Sequence, residues 1–137
     1  MIGLDTNVLV RVAVSDHAEQ TIQAKARLKS LTLAEPGFVS NVVMVEIWWV
    51  LTRAYKKTPS ETAAFLTRLS EVATLVIQDQ ELVAAALAAV RDHKADFSDA
   101  LIAAVAQAHN CSAVDTFDTG AIKRAGMVPV GAEPILH

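Results

Sequence analysis

Five short apolar runs alternate with segments whose apolar residues recur at helical spacing, and this alternation limits the folds open to the chain. The short runs are residues 1–4, 38–39, 74–77, 111–114 and 127–130. Strands separated by helices pair in parallel, because each helix carries the chain back before the next strand begins. The pattern therefore predicts an α/β domain with a mainly parallel sheet and helices on both faces.

Helical spacing and start signals predict six helices between these runs. They span residues 17–33, 41–55, 58–72, 82–90, 97–109 and 119–124. Ser40 is a predicted N-cap, and Thr58-Pro59-Ser60-Glu61 has the proline and acid typical of a first helical turn. We interpret Asp5-Thr6-Asn7 as a polar turn at the end of a buried first strand. The length of 137 residues suits a single domain over 1–137.

The cysteine content limits the kinds of metal site and disulfide that the chain can form, and the hydropathy limits the cellular compartment. Cys111 is the only cysteine, so the chain offers no internal disulfide and no cysteine-based zinc site. No apolar run reaches the roughly 18 residues of a membrane span, and the N-terminus lacks a signal-peptide pattern. We therefore expect a cytoplasmic protein without membrane contact.

The net charge of −3, from 12 basic and 15 acidic residues, ordinarily disfavours a nucleic-acid binder. That objection weakens if several acids hold a cation, because the bound ion cancels their charge locally. In parallel α/β sheets, ligands bind beyond the carboxyl ends of the strands. Asp5 and the segment Asp115-Thr116-Phe117-Asp118 follow two predicted strands in this way.

Glu46 stands inside an apolar helical segment, where a carboxylate is unexpected. Its neighbours three and four positions away are Val42, Val43, Trp49 and Val50, so the pattern predicts that it faces the core. Burial of a lone carboxylate costs several kcal/mol unless a partner compensates. One candidate compensation is a buried ion pair between Glu46 and either Arg53 or Arg11.

The other candidate acids each have a simple structural interpretation as well. Asp99 and Asp96 precede or begin a helix and can cap it, Asp118 can cap the next helix, and Asp5 can bond its own turn. A single divalent cation would account for all of these acids together. Oxygen ligands without a Cys or His cluster favour Mg²⁺ or Mn²⁺ over zinc. Such ions activate water for phosphodiester hydrolysis, which is nuclease chemistry.

Four segments, in chain order, resemble the four motifs of the PIN-domain family, and within it the VapC-type toxins of bacterial toxin-antitoxin pairs. They are residues 4–9 (LDTNVL), 45–51 (VEIWWVL), 95–104 (ADFSDALIAA) and 116–118 (TFD). The resemblance extends over essentially the whole chain. It implies a three-layer α/β/α domain around a central, mainly parallel sheet of about four to five short strands.

The resemblance also assigns roles to residues. It implies that four acids hold Mg²⁺, for which Mn²⁺ can substitute, and that three residues support them. The four ligands are Asp5, Glu46, Asp99 and Asp118, and the supporting residues are Asn7, Thr116 and Asp96. The implied activity is cleavage of RNA by a metal-activated water, leaving a 5′-phosphate and a 3′-hydroxyl. A homodimer and a small antitoxin that covers the active site are also implied.

Two basic residues near the acidic motifs, Arg11 and Arg53, are candidates for contact with the RNA backbone. Two alternative functions remain open at this point. One is a PIN-like binding domain without metal. The other is a phosphatase of the haloacid-dehalogenase type with Asp5 as nucleophile, although that chemistry requires a second acid where this chain has Asn7.

Overall fold

The computed structural model describes residues 1–132, which divide into two compact units at Gln80 and Glu81. The first unit contains three strands and four helices. In chain order they are β1 (Ile2–Gly3), α1 (Thr6–Ala13), α2 (Ala18–Ser30), β2 (Gly37–Val39), α3 (Asn41–Trp49), α4 (Pro59–Glu71) and β3 (Leu75–Ile77). A π-helical turn, Val50–Ala54, continues α3.

The three strands of the first unit form a parallel sheet in the order β1-β2-β3. Gly37 on β2 is closely packed, because a Cβ atom there would lie 2.9 Å from side-chain carbons of Leu4, Leu31 and Leu75. A larger residue at this position would therefore push the packed leucines apart. The parallel pairing confirms the predicted α/β class.

Helix α1 was not predicted from the sequence, where its first residues were interpreted as a turn. The segment is rich in valine, which favours strands in isolation. It forms a helix because Leu9 and Val10 are thereby fully buried, while Asn7 on its first turn is exposed. The first strand is also less buried than predicted, since Leu4 is buried but Ile2 is exposed.

The second unit contains α5 (Gln80–His93, which begins one residue before the division), α6 (Phe97–Ala108), β4 (Asp115–Thr116), α7 (Thr119–Arg124) and β5 (Val128–Pro129). Strands β4 and β5 pair in parallel. The predicted strand at 111–114 is wrong, because the Cys111 N–H still donates to the Ala106 carbonyl at the end of α6. Pairing begins only where the Val114 carbonyl accepts from the Val128 N–H.

Between residues 1 and 132, no helix is both long and apolar enough to cross a membrane. The strand pairing forms a three-stranded sheet in the first unit and a two-stranded sheet in the second. Acids follow or end strands in both units, with Asp5 after β1 and Asp118 after β4.

Candidate active site

In the first unit, a hydrogen bond connects Glu46 to Thr6, the residue that follows Asp5 in the chain. Asp5 is the N-cap of α1 in an extended conformation, yet its side chain makes no capping hydrogen bond. The adjacent Thr6, only 4% exposed, donates its hydroxyl to Oε2 of Glu46 at 2.8 Å. The start of α1, where Asp5 is the N-cap, is thus connected to the middle of α3 by one buried hydroxyl.

The prediction that Glu46 faces the core is wrong. Helix α3 buries Met44, Ile47 and Trp48, so Glu46 lies on the exposed face with Trp49. The error arose because α3 is apolar on every side, which leaves no hydrophobic face to orient it. No residue of the described chain forms an ion pair with Glu46, so the buried pair with Arg53 or Arg11 does not form.

In the second unit, α6 begins beside a second group of acids. Asp96 is the N-cap and accepts a hydrogen bond from the Asp99 N–H at 3.1 Å. The Asp99 carboxyl is half-buried. Burial raises its pKa above the ordinary 3.8, and the negative charges of Asp96 and Asp118 raise it further. Asp96, Asp99 and Asp118 therefore share one region of negative potential.

Asp118 has a structural role that leaves part of its carboxylate unused. Oδ1 accepts from the backbone N–H groups of Gly120 and Ala121 at 2.8 and 3.3 Å, which caps α7. The Asp118 N–H in turn donates to the Thr116 hydroxyl at 3.1 Å. Thr116 thus fixes the turn that carries Asp118, while Asp115 is exposed.

The donor chemistry of these acids fits a hard divalent cation. Asp5, Glu46, Asp99 and Asp118 offer only carboxylate oxygens, and within residues 1–132 none of the four is in an ion pair. Over the same residues, no three His, Cys, Asp or Glu side chains are already arranged to hold a metal ion. A cation would therefore stabilise carboxylates that lack other counter-charges.

The metal-free protein should become slightly more stable when Asp99 is replaced by Asn. The helix dipole favours a carboxylate in this first turn, whereas burial and the like charges of Asp96 and Asp118 act against it and raise the pKa of Asp99. Because the pKa of Asp99 is raised in the folded protein, the free energy of unfolding decreases as the pH rises through that pKa and the carboxyl becomes charged. We therefore expect a gain of about 0.5 kcal/mol at neutral pH, small because Asp99 is partly exposed to solvent, and none in acid.

Urea unfolding in chelator, at neutral and acidic pH, measures this effect. Asp115→Asn is the matched control, since Asp115 is an exposed carboxylate of the same unit. We expect the control to leave the free energy of unfolding unchanged. A loss of several kcal/mol in Asp99→Asn would instead indicate a buried ion pair and contradict the like-charge interpretation.

Arg11, one of the two predicted RNA contacts, lies in a hydrogen-bonded network. Its Nε donates to Gln20 at 2.8 Å, and Nη1 lies 3.3 Å from both Asp16 and the Tyr55 hydroxyl. The Tyr55 hydroxyl donates to the second oxygen of Asp16 at 2.6 Å. This network ties α1 to the start of α2 and to the end of the π-helical turn, so Arg11 stabilises the first unit.

The hydrogen bond from Tyr55 lowers the pKa of Asp16 below its ordinary 3.8, and the charge of Arg11 lowers it further, although burial opposes both. Because the pKa of Asp16 is lower in the folded than in the unfolded protein, Asp16 stabilises the fold at pH values above its unfolded-state pKa. This contribution is lost as the pH falls through its folded-state pKa. We expect Tyr55→Phe to raise the Asp16 pKa towards 3.8. NMR titration of the carboxyl carbons measures this, and Asp92, held by Arg91, is an internal control that should not move.

Arg53, the other predicted RNA contact, packs on an aromatic ring. Its guanidinium carbon lies 3.6 Å from the ring centroid of Trp49, which is 45% exposed. This cation–π contact at the end of α3 was not predicted from the sequence. A spacing of four residues in a helix permits it, but only the structure shows which face of α3 is exposed.

Comparison with known families identifies the chain. The family described as the PIN domain matches residues 2–127, which include all four acidic motifs. A search of curated proteins finds no match. PIN domains are nuclease domains that are typically metal-dependent, which agrees with the carboxylate chemistry found in both units. Because the match extends over most of its length, the chain belongs to the PIN domain family.

Proposed function

We propose that this chain is a Mg²⁺-dependent endoribonuclease that acts as the toxin of a toxin-antitoxin pair. The observation that carries the proposal is the half-buried Asp99 carboxylate, which lies near Asp96 and Asp118 and forms no ion pair within residues 1–132. A protein keeps such like charges together at a cost in stability, and a bound divalent cation removes that cost. Membership of a nuclease family supports the same interpretation.

Asp5, Glu46, Asp99 and Asp118 would hold the ion. When bound, it supplies an activated water and neutralises charge on the phosphodiester during in-line attack at phosphorus. The water oxygen forms the new bond to phosphorus and the bond to O3′ breaks, which leaves a 5′-phosphate and a 3′-hydroxyl. Neighbouring residues of the same chain would orient these four carboxylates.

Three neighbouring residues, Thr6, Thr116 and Asp96, support the proposed ligands through hydrogen bonds. Thr6 donates to Glu46 and so limits the rotation of that carboxylate. Thr116 accepts from the Asp118 N–H, and Asp96 caps the helix that carries Asp99. Asn7 lies on the exposed first turn of α1, beside Asp5, where its amide is accessible to an RNA phosphate or to water.

The proposed partners follow from the same surface. A small antitoxin would inhibit the enzyme by covering the exposed carboxylates of Asp5, Glu46 and Asp118, and basic side chains are suited to that contact. We further propose that the toxin is a cytoplasmic homodimer and that Mn²⁺ replaces Mg²⁺ in the reaction. RNA and the antitoxin would then compete for one surface.

Incubation of the purified protein with total RNA tests the proposal directly. We expect cleavage in Mg²⁺ or Mn²⁺, none in chelator, and none with Asp5→Asn, while calorimetry detects metal binding to the wild-type protein. Cleavage that persists in chelator or in Asp5→Asn would contradict the metal mechanism. No metal binding at millimolar concentration would favour a PIN-like binding domain without metal.

A further inference from the structure

Two side chains at the junction of α3 and the π-helical turn, Trp49 and Arg53, form a contact that we call the stack. The guanidinium carbon of Arg53 lies over the Trp49 ring, 3.6 Å from its centroid, which is a close cation–π contact. Trp49 is 45% exposed and Arg53 is exposed, whereas the adjacent Trp48 is only 4% exposed and belongs to the core. The two adjacent tryptophans therefore have different environments, and Trp49 is the more exposed of the two.

The position of this stack relative to Glu46 follows from helix geometry. Glu46 and Trp49 are three residues apart on one helix, which makes them neighbours on its surface. Arg53 lies four residues beyond Trp49, within the π-helical turn where the Tyr55 N–H donates to the Val50 carbonyl at 3.2 Å. Single π-helical turns inside α-helices occur frequently at functional sites. The stack thus begins one turn from a candidate metal ligand.

The charge around the stack favours a polyanion. Residues 49–60 contain Arg53, Lys56 and Lys57 and no acid, although the whole chain has a net charge of −3. All three basic side chains are exposed. A two-fold contact between copies of this chain would place these like charges on matching surfaces, which disfavours self-association here. Phosphates, by contrast, are attracted to this segment.

We propose that Trp49 and Arg53 form a stacking surface for one unpaired base of the RNA substrate, beside the phosphodiester to be cleaved. Unpaired bases stack on aromatic rings and on guanidinium planes, whereas bases within a duplex already stack on one another. The inference rests on the proposed ribonuclease function and narrows it to RNA with an unpaired nucleotide near the cleavage site. Lys56 and Lys57 would contact phosphates of the same strand.

Binding without catalysis tests the stacking surface separately from the nuclease reaction. A short oligoadenylate that carries a fluorescent label is titrated with the protein in chelator while the anisotropy of the label is recorded, and a labelled abasic oligonucleotide of equal length serves as the second probe. We expect the wild-type protein to bind oligoadenylate, and Trp49→Leu and Arg53→Lys to bind it about tenfold more weakly. The abasic probe should bind the wild type, Trp49→Leu and Arg53→Lys equally.

Matched variants separate stacking from loss of apolar surface or of charge. Val42 is 65% exposed seven residues before Trp49 on the same helix, and Arg27 is an exposed arginine on α2. Val42→Ala and Arg27→Gln should bind oligoadenylate as the wild type does. Arg53→Lys keeps the charge but loses the planar group, so its defect would support stacking over simple attraction.

Cleavage assays then distinguish the failure of this inference from the failure of the proposed function. We expect Trp49→Leu to raise KM for single-stranded RNA while hydrolysis of bis(p-nitrophenyl) phosphate, which has no base, is unchanged. A wild-type protein that cleaves neither substrate contradicts the nuclease proposal. Unchanged oligoadenylate binding in both Trp49→Leu and Arg53→Lys overturns the stacking surface, as does a change confined to the oligomeric state on sedimentation.

Discussion

Glu46→Gln and Asp99→Asn should each lower the rate of RNA cleavage in Mg²⁺ by about a thousandfold. Each substitution removes the charge of a proposed ligand, and metal assistance contributes several kcal/mol to this type of reaction, with a factor of ten for each 1.36 kcal/mol. Initial rates on a fluorescent single-stranded RNA at saturating Mg²⁺ measure the loss. Because both carboxylates are at least partly exposed, both variants should fold normally.

The double variant tests whether the two proposed ligands, Glu46 and Asp99, act on one ion. The two residues are distant in the sequence, and the proposed ion would couple them. Residues that act as one unit have strongly non-additive effects, and we expect the double variant to be little slower than either single variant. Multiplied losses would show that the two acids act independently and would contradict a common ion.

Two further acids provide controls for this experiment. Asp115 and Glu71 are exposed, one in each unit, and neither is a proposed ligand. Asp115→Asn and Glu71→Gln should cleave RNA at the wild-type rate. A large loss in Asp115→Asn would show that the general negative potential near β4, and not a defined set of ligands, determines the rate.

The helices and strands were predicted best where all local sequence signals favoured the same element. Helix α4 was predicted within a residue at each end, because Thr58 and Glu61 form the reciprocal capping bonds that their spacing indicates. Helix α1 was missed, since its valines favour a strand until Leu9 and Val10 are buried in tertiary packing. Local propensity thus failed where long-range contacts decide.

The candidate site was likewise predicted in part from the sequence. The acids were predicted from their places after strands and in helix starts, and the structure places Asp96, Asp99 and Asp118 near one another. The exposure of Glu46 was not predictable, because α3 is apolar on all faces and its packing against α1 and α4 selects which side is buried. The roles of Thr6 and Trp49 depend on that choice and were therefore missed.

Thr6→Val should lower the cleavage rate about 10- to 100-fold without a comparable loss of stability. Partners that orient a ligand commonly have effects of this size. Valine has the shape of threonine and suits a site that is only 4% exposed, whereas the hydroxyl that donates to Glu46 at 2.8 Å is lost. Glu46 is exposed and can bond water instead, so the fold does not depend on this hydrogen bond.

Thr6→Ser is the matched control, because it keeps the hydroxyl and removes only the methyl group. If Thr6 orients Glu46, the serine variant should retain most of the activity while losing more stability than the valine variant, since a buried methyl group contributes about 1 kcal/mol. Activity and stability would then rank the two variants in opposite orders. Parallel losses of both in Thr6→Val would show instead that Thr6 acts through packing, and the orienting role of its hydroxyl would be refuted.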